Sequence, residues 1–243
     1  MRASTPLRVI WHDVECGGYA EDQELWRRLA RDVDGPVLDV GAGTGRVALD
    51  LAAHGLEVVA LDVDADLLAT LRARAAGLGL SVETVVADAR AFDLGDRRFG
   101  LIAVPMQTLQ LLDDAAARAQ FLVTARRHLV DGGLIAVALA DALDSFDGES
   151  DGLPEPDVGE VDGVRYLSLP LAVVDEGEHA AIHRLRQVIG DDVPDEHDII
   201  RLARVDAIML VREARASGLE AVDLLRIPAT DVYVGSTVVV LGG

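Results

Sequence analysis

The chain has 243 residues, is 50% hydrophobic and carries a formal net charge of −20, from 42 acidic residues against 22 arginines and no lysine. Its length suits one large α/β domain, or one domain with an insert. So acidic a surface repels phosphate backbones and anionic lipid, which argues against a nucleic-acid substrate or a membrane partner.

Aromatic residues make up only 4%, so the core must be aliphatic. Cys16 is the single cysteine, which excludes an intramolecular disulfide and a cysteine-based metal site. The first 14 residues lack the apolar stretch of a signal peptide, and the apolar run Leu134–Ala140 is far too short to span a membrane. A cytoplasmic protein is expected.

Residues Trp11–Arg31 read as an N-terminal helical segment, with Asp22 as a cap and Leu25, Trp26 and Leu29 on one face. Strands and helices then alternate. Pro36–Val40 is a short apolar run ending in glycines, the pattern of a buried parallel strand. A helix over Thr44–His54 stops at Gly55. Glu57–Leu61 is a second strand, and Asp64 caps a helix that Gly77 stops. Ser81–Ala87 and Phe99–Val104 are the third and fourth strands. Asp113 or Asp114 caps a helix to Leu129, and Asp131, Gly132 and Gly133 turn into a fifth strand, Leu134–Ala140.

After Ala140 the alternation breaks. Asp141–Asp162 is rich in Asp, Glu, Gly and Pro, the composition of a loop. Val164–Val174 and Ala180–Ile189 form a hairpin about Glu176, Gly177 and Glu178, and Asp198–Arg204 can add a third strand. Asp206 caps a helix to Ala216, after which Ala221–Ile227 and Ser236–Leu241 can pair antiparallel. The expected fold is α/β, a doubly wound, mostly parallel seven-stranded sheet. It comprises an N-terminal helical cap (1–34), a core (35–140 and 206–243) and a small antiparallel β insert (141–205) over the ligand edge of the sheet.

The segment Val37–Arg46, VLDVGAGTGR, follows a strand and opens a helix, the context that a nucleotide-binding glycine loop requires. Its glycines, Gly41, Gly43 and Gly45, have the spacing G-x-G-x-G. A dinucleotide fingerprint needs a third glycine where Arg46 stands, and a P-loop needs a lysine that the chain lacks. Asp62 ends the second strand, 21 positions after Gly41, where a carboxylate can accept from both ribose hydroxyls. Asp88 ends the third strand and can accept from an adenine amine. Three successive strand ends thus carry a glycine loop, an acid and an acid. Asp64 and Asp66, in the first turn of a helix, read as capping residues.

With VLDVGAGTGR, LDVD, VVADAR, FGLIAVPMQTLQLL and HLVDGGLIAVAL in that order, Pro36–Leu139 resembles the class I S-adenosylmethionine-dependent methyltransferases of Rossmann-like fold. The resemblance implies that Asp39 reaches the methionine amine and that Gly41, Ala42, Gly43, Thr44 and Gly45 lie against methionine and ribose. It implies that Asp62, with Val63 after it, holds the ribose, and that Asp88 with Ala89 reads adenine. Tyr19 is the candidate for the methionine carboxylate. Arg46 can balance that carboxylate or mark a solvent-exposed helix start. Pro105 and Met106 complete the cofactor edge, and the product is S-adenosylhomocysteine.

The segment Pro105–Gln110 is not the Asn/Asp-Pro-Pro-Tyr/Phe pattern of amide or nucleobase methylation. Gln107, Gln110, Tyr166 and Tyr233 are the candidate acceptor contacts, and His12 and His183 the candidate general bases. Some catechol enzymes of this family hold magnesium after the fifth strand, where Asp141 and Asp144 stand here, but the partner ligands are not recognisable and no metal is expected. The resemblance implies a small-molecule N- or O-methyltransferase, acting as monomer or homodimer without nucleic acid. Its rivals are a non-catalytic or regulatory binder of S-adenosylmethionine or a nucleotide, a protein-directed methyltransferase and an NAD-dependent oxidoreductase. Arg46 disfavours the last.

Overall fold

The computed structural model of the chain describes residues 5–140, 143, 146–151, 153–190, 193–230 and 233–243. In chain order its elements begin with α1 (Leu7–Cys16), α2 (Gln23–Arg31), β1 (Val37–Val40), α3 (Arg46–Ala53), β2 (Val58–Asp62), α4 (Ala65–Leu78), β3 (Glu83–Val86) and β4 (Phe99–Val104). They continue with α5 (Ala115–Arg127), β5 (Leu129–Ala140), β6 (Phe146–Asp147), α6 (Gly148–Asp151), β7 (Asp157–Val161) and β8 (Val164–Asp175). The last are β9 (His179–Ile189), β10 (Glu196–Ala203), α7 (Ala207–Ala216), β11 (Glu220–Ile227) and β12 (Ser236–Gly242). They divide into two compact units, Ala20–Asp141 with Val205–Gly243, and Met1–Tyr19 with Ala142–Arg204.

The larger unit is built on a seven-stranded sheet in the order β11-β12-β5-β4-β1-β2-β3. β5, β4, β1, β2 and β3 run parallel, and β12 lies antiparallel between β5 and β11. This is a Rossmann-like fold with an antiparallel end. Every residue of β1, β2 and β4 is buried, as expected of strands in the middle of a covered parallel sheet. One face packs Leu38, Val40, Ile102, Val104, Ile135 and Val137 against Phe121 and Leu122 of α5 and Leu210 of α7. The interior is mainly aliphatic, as the composition implies, although Trp26, Phe99 and Phe121 are its largest fully buried side chains.

Helix ends follow the expected chemistry in most places. Asp64 Oδ1 accepts from the Asp66 and Leu67 amides, and Asp114 Oδ1 from the Ala117 amide. Gly77, expected to end α4, lies inside it. The helix runs to Leu78 and closes at Gly79, whose φ of +70° a side chain would resist. The expected single helical segment at the N-terminus is two helices, and the division between units falls after Tyr19, between α1 and α2.

In the smaller unit β10-β9-β8-β6 form an antiparallel sheet, with β7 also paired to β8. Helix α1 packs on β7 and β8. Trp11 meets Tyr166 edge to face at 5.4 Å. Beside them lies a charged network. Glu15 of α1 accepts both a fork from Arg186 (2.7 and 2.8 Å) and the Ser168 hydroxyl (2.7 Å), while Arg184 pairs with Asp157. The arginines beside Glu15 outweigh its burial and hold its carboxyl below the ordinary range. Among the described residues no helix is long and apolar enough to cross a membrane.

Candidate functional site

The parallel strands β1 and β4 are neighbours although far apart in sequence, so strand order reverses between them. Such a reversal opens a crevice beyond the carboxyl ends of the strands. From β1 the chain enters the glycine loop, with φ of +72° at Gly41, +55° at Gly43 and +98° at Gly45. Space as well as backbone angle demands glycine here. A Cβ on Gly41 would stand 2.4 Å from Thr108 Cγ2, and one on Gly45 2.7 Å from Leu71 Cγ. The Gly41 and Ala42 amides both donate to the Leu61 carbonyl of β2, at 2.8 and 3.0 Å, which ties the loop to the next strand end.

Asp62 occupies that strand end. Its Oδ2 accepts from the Gly43 amide and its Oδ1 from the Asp64 amide, each at 2.8 Å. A carboxylate oxygen has two lone pairs, so the group is fixed in place and can still accept from a ligand. Val63 beside it is 73% exposed, an apolar side chain in water at the rim of the crevice.

Asp39, in β1, is 1% exposed, and neither carboxylate oxygen has a hydrogen-bond partner. Burial pushes its carboxyl up to about 7. The Arg46 guanidinium and the Ala48 amide pull the other way, and the charges of Asp62 and Asp22 add to the rise. Buried polar groups are rarely left unpaired, and where they are the site is one that a ligand can complete.

Arg46 is committed elsewhere. Its Nη1 donates to Asp22 Oδ1 at 2.5 Å and its Nη2 to Asp22 Oδ2 at 2.8 Å, and Trp26 Nε1 also donates to Asp22 Oδ2, at 2.7 Å. Two readings are corrected here. Arg46 does not start a solvent-exposed turn, because its side chain is only 9% exposed. Asp22 makes no capping bond to α2, because its carboxylate is spent on the buried guanidinium and the indole. A buried cation left unpaired would cost more than a missing cap. Asp22 is a residue that sequence reasoning missed at the site. The four-residue spacing from Asp22 to Trp26, one helical turn, was the available signal.

Asp88 lies beyond β3 and turns to Arg90, which it grips through a fork of 2.5–3.0 Å. That pairing holds the Asp88 carboxyl below the ordinary range. The pair is exposed, so the fork is weakly held and exchangeable. Ala89 packs against the core.

After β4, Met106 takes a φ of +54°, strained for a residue with a side chain, at the edge where β4 faces the loop. Thr108, which fills the space over Gly41, donates its hydroxyl to the Pro105 carbonyl at 2.8 Å. Gln107 is half-buried. Gln110 is 1% exposed, and its Oε1 accepts from the Ala140 amide at 2.9 Å, so that oxygen latches β5 to the segment after β4.

The larger unit therefore brings Asp39, the loop Gly41–Arg46, Asp62, Asp88 and Pro105–Gln110 to one edge of one sheet. Tyr233 is in the same unit, between β11 and β12. His12, Tyr19, Tyr166 and His183 belong to the smaller unit. His12 lies 3.9 Å from Asp13, and His183 Nδ1 lies 3.4 Å from His197 Nε2. Among the described residues no group of three or more His, Cys, Asp or Glu side chains is placed to hold a metal. Asp141 and Asp144 lie outside the described residues.

A family model of the methyltransferase domain matches residues 37–133. Uncharacterized proteins of Mycobacterium tuberculosis and Mycobacterium bovis are 33% identical over 101 residues, which is 42% of this chain and 35% of theirs. The match thus spans about a third of the length of those relatives. The structure of a sugar N-methyltransferase from Streptoalloteichus is similar over 100% of this chain and 95% of its own, with a TM-score of 0.73 and 21% identity. The glycopeptide N-methyltransferase MtfA, complexed with S-adenosylmethionine, is similar over 93% of this chain and 95% of its own, with a TM-score of 0.59 and 27% identity.

Proposed function

We propose that this chain, which carries a class I S-adenosylmethionine-dependent methyltransferase domain, transfers a methyl group to a nitrogen or oxygen of a small-molecule acceptor. The observation that carries the reading is the set of three groups at adjoining strand ends: the unpartnered Asp39, the side-chain-intolerant loop after it, and Asp62 held by two amides. Each fits one part of the cofactor. Asp39 suits a primary ammonium. The loop lets backbone approach closely. Asp62 suits a ribose diol.

When bound, S-adenosylmethionine would supply a methyl group already activated on a cationic sulfur, for transfer to the lone pair of the acceptor. The residues of the chain need only bind, orient and exclude water. Asp39 and Asp62 anchor the two ends of a rigid grip about the loop. Asp88 reads the adenine edge once Arg90 releases it. Met106, at the end of β4, shapes the wall on the side of the transferring group.

A small acceptor is supported by the net charge of −20 and the absence of lysine, which disfavour a nucleic-acid groove. It is supported too by the likeness to sugar and glycopeptide N-methyltransferases. The test is a release assay for S-adenosylhomocysteine over a panel of small amines and alcohols, with RNA, DNA and protein as comparison substrates. Turnover on the small acceptors is expected. Turnover confined to a macromolecule overturns the acceptor class.

A further inference from the structure

Two buried acids of the larger unit have opposite fates. Asp22 is 0% exposed and fully used, with both oxygens on Arg46 and one also on the Trp26 indole. Asp39 is 1% exposed and paired with nothing, although it lies within the field of that same Arg46. A guanidinium gripped through two parallel N–H···O bonds by one carboxylate is compensated in charge and fixed in direction. Held in that direction, it closes no hydrogen bond with the Asp39 oxygens. Were Asp22 neutral, Arg46 would lose its charged fork to that residue, and Asp39, already within its field, would be an acid able to draw it.

We propose that Asp22 is a positioning residue for cofactor recognition: by holding Arg46 it keeps Asp39 unpaired, so that Asp39 draws its cation from the ligand, as the primary ammonium of an amino-acid moiety. The identity of that ligand rests on the methyltransferase reading above. The arrangement is a specificity device. A nucleoside without an ammonium leaves Asp39 as unpaired as before.

The arrangement also couples binding to a proton. The charged groups that act on Asp39 are Arg46 from α3, Asp62 from β2 and Asp22 ahead of α2. Its cross-strand partners, Ala60 of β2 and Ala103 of β4, do not titrate. Without a partner, the Asp39 carboxyl keeps its proton up to about pH 7. An arriving ammonium favours the carboxylate and expels that proton. Affinity therefore rises from pH 6 to pH 7, by about fivefold for a single group of this kind. It falls again above about pH 8, where the α-amino group of the ligand itself deprotonates.

The experiment is titration calorimetry of the full chain at pH 6 and 7, in two buffers of different ionisation enthalpy. The probes are S-adenosylmethionine and methylthioadenosine, which keeps the nucleoside and sulfur but lacks the amino-acid end. The first should bind about fivefold more tightly at pH 7 and release close to one proton at pH 6; the second should bind equally at both. Asp22→Asn should weaken S-adenosylmethionine at least tenfold at pH 7 and flatten its pH dependence, leaving methylthioadenosine unchanged. PH-independent binding of S-adenosylmethionine by the wild-type chain overturns the proposal, whether or not the variant folds. So does an Asp22→Asn chain that keeps the wild-type pH dependence. Failure of both ligands to bind at either pH contradicts the methyltransferase reading itself.

Discussion

The two units of the chain both bury charge, and they do so differently. In the smaller unit the charges answer one another across the sheet. Asp157, Ser168, Arg186 and Glu196 stand opposite in successive strands, with Arg184 facing Asp198, and Glu15 closes the network from α1. In the larger unit the strands are largely apolar, and among the described residues the buried acids are few: Asp39 in β1, Asp62 at the end of β2 and Asp22 ahead of α2. One of them, Asp39, is left without a partner. A buried charge that is paired within the fold specifies register and docking. A buried charge left unpaired stores an interaction for a ligand.

The contrast has opposite signs in stability. Asp39 is protonated more readily in the folded chain than unfolded, so its contribution is fully present below about pH 4 and is lost as pH rises through about 7. Asp39→Asn should thus gain on the order of 4 kcal/mol at pH 8 relative to its effect at pH 4, read by urea denaturation, while losing affinity for S-adenosylmethionine. Equal effects at the two pH values would mean that Asp39 is paired after all. Glu15 has a depressed carboxyl, so its stabilisation is present above about pH 4.5 and fades as pH falls further. Glu15→Gln should cost about 3 kcal/mol at neutral pH, because it strands buried arginine charge. Fluorescence of Trp11, which lies against Arg186, would report the loss in that unit.

Smaller effects sharpen the ligand side. Asp62→Ala should weaken S-adenosylmethionine by about 1–3 kcal/mol in calorimetry, the cost of stranding ribose hydroxyls. Unchanged affinity would remove Asp62 from the site. Arg90→Ala should tighten binding by less than about fivefold, because it frees Asp88 from an exposed pair. Weaker binding would show that Arg90 itself holds the ligand.

The frame of the larger unit was legible because its strands are continuous apolar runs punctuated by glycine. Phe99–Val104 coincides with β4 to the residue. Less legible were places where tertiary context decides between two local readings. Asp131, Gly132 and Gly133 read as a turn before a strand from Leu134. In fact β5 begins at Leu129, and those residues are absorbed in an irregularity, with Phe99 opposite Leu129 and Leu101 opposite Leu134. β6 and β7 were hidden in a stretch of Asp, Glu, Gly and Pro, since β7 is held by its pairing with β8 rather than by its own propensity. At the site, the loop and Asp62 were readable from spacing. The role of Asp22 was not, because a helix-start acid looks the same whether it caps the helix or reaches an arginine 24 residues away.

The crevice at the ends of β1, β2 and β4 is expected to take S-adenosylmethionine. Calorimetry of the full chain against S-adenosylmethionine and NAD tests it most directly. Saturable binding of S-adenosylmethionine with none of NAD is the expected result. Binding of NAD, with none of S-adenosylmethionine, would contradict it.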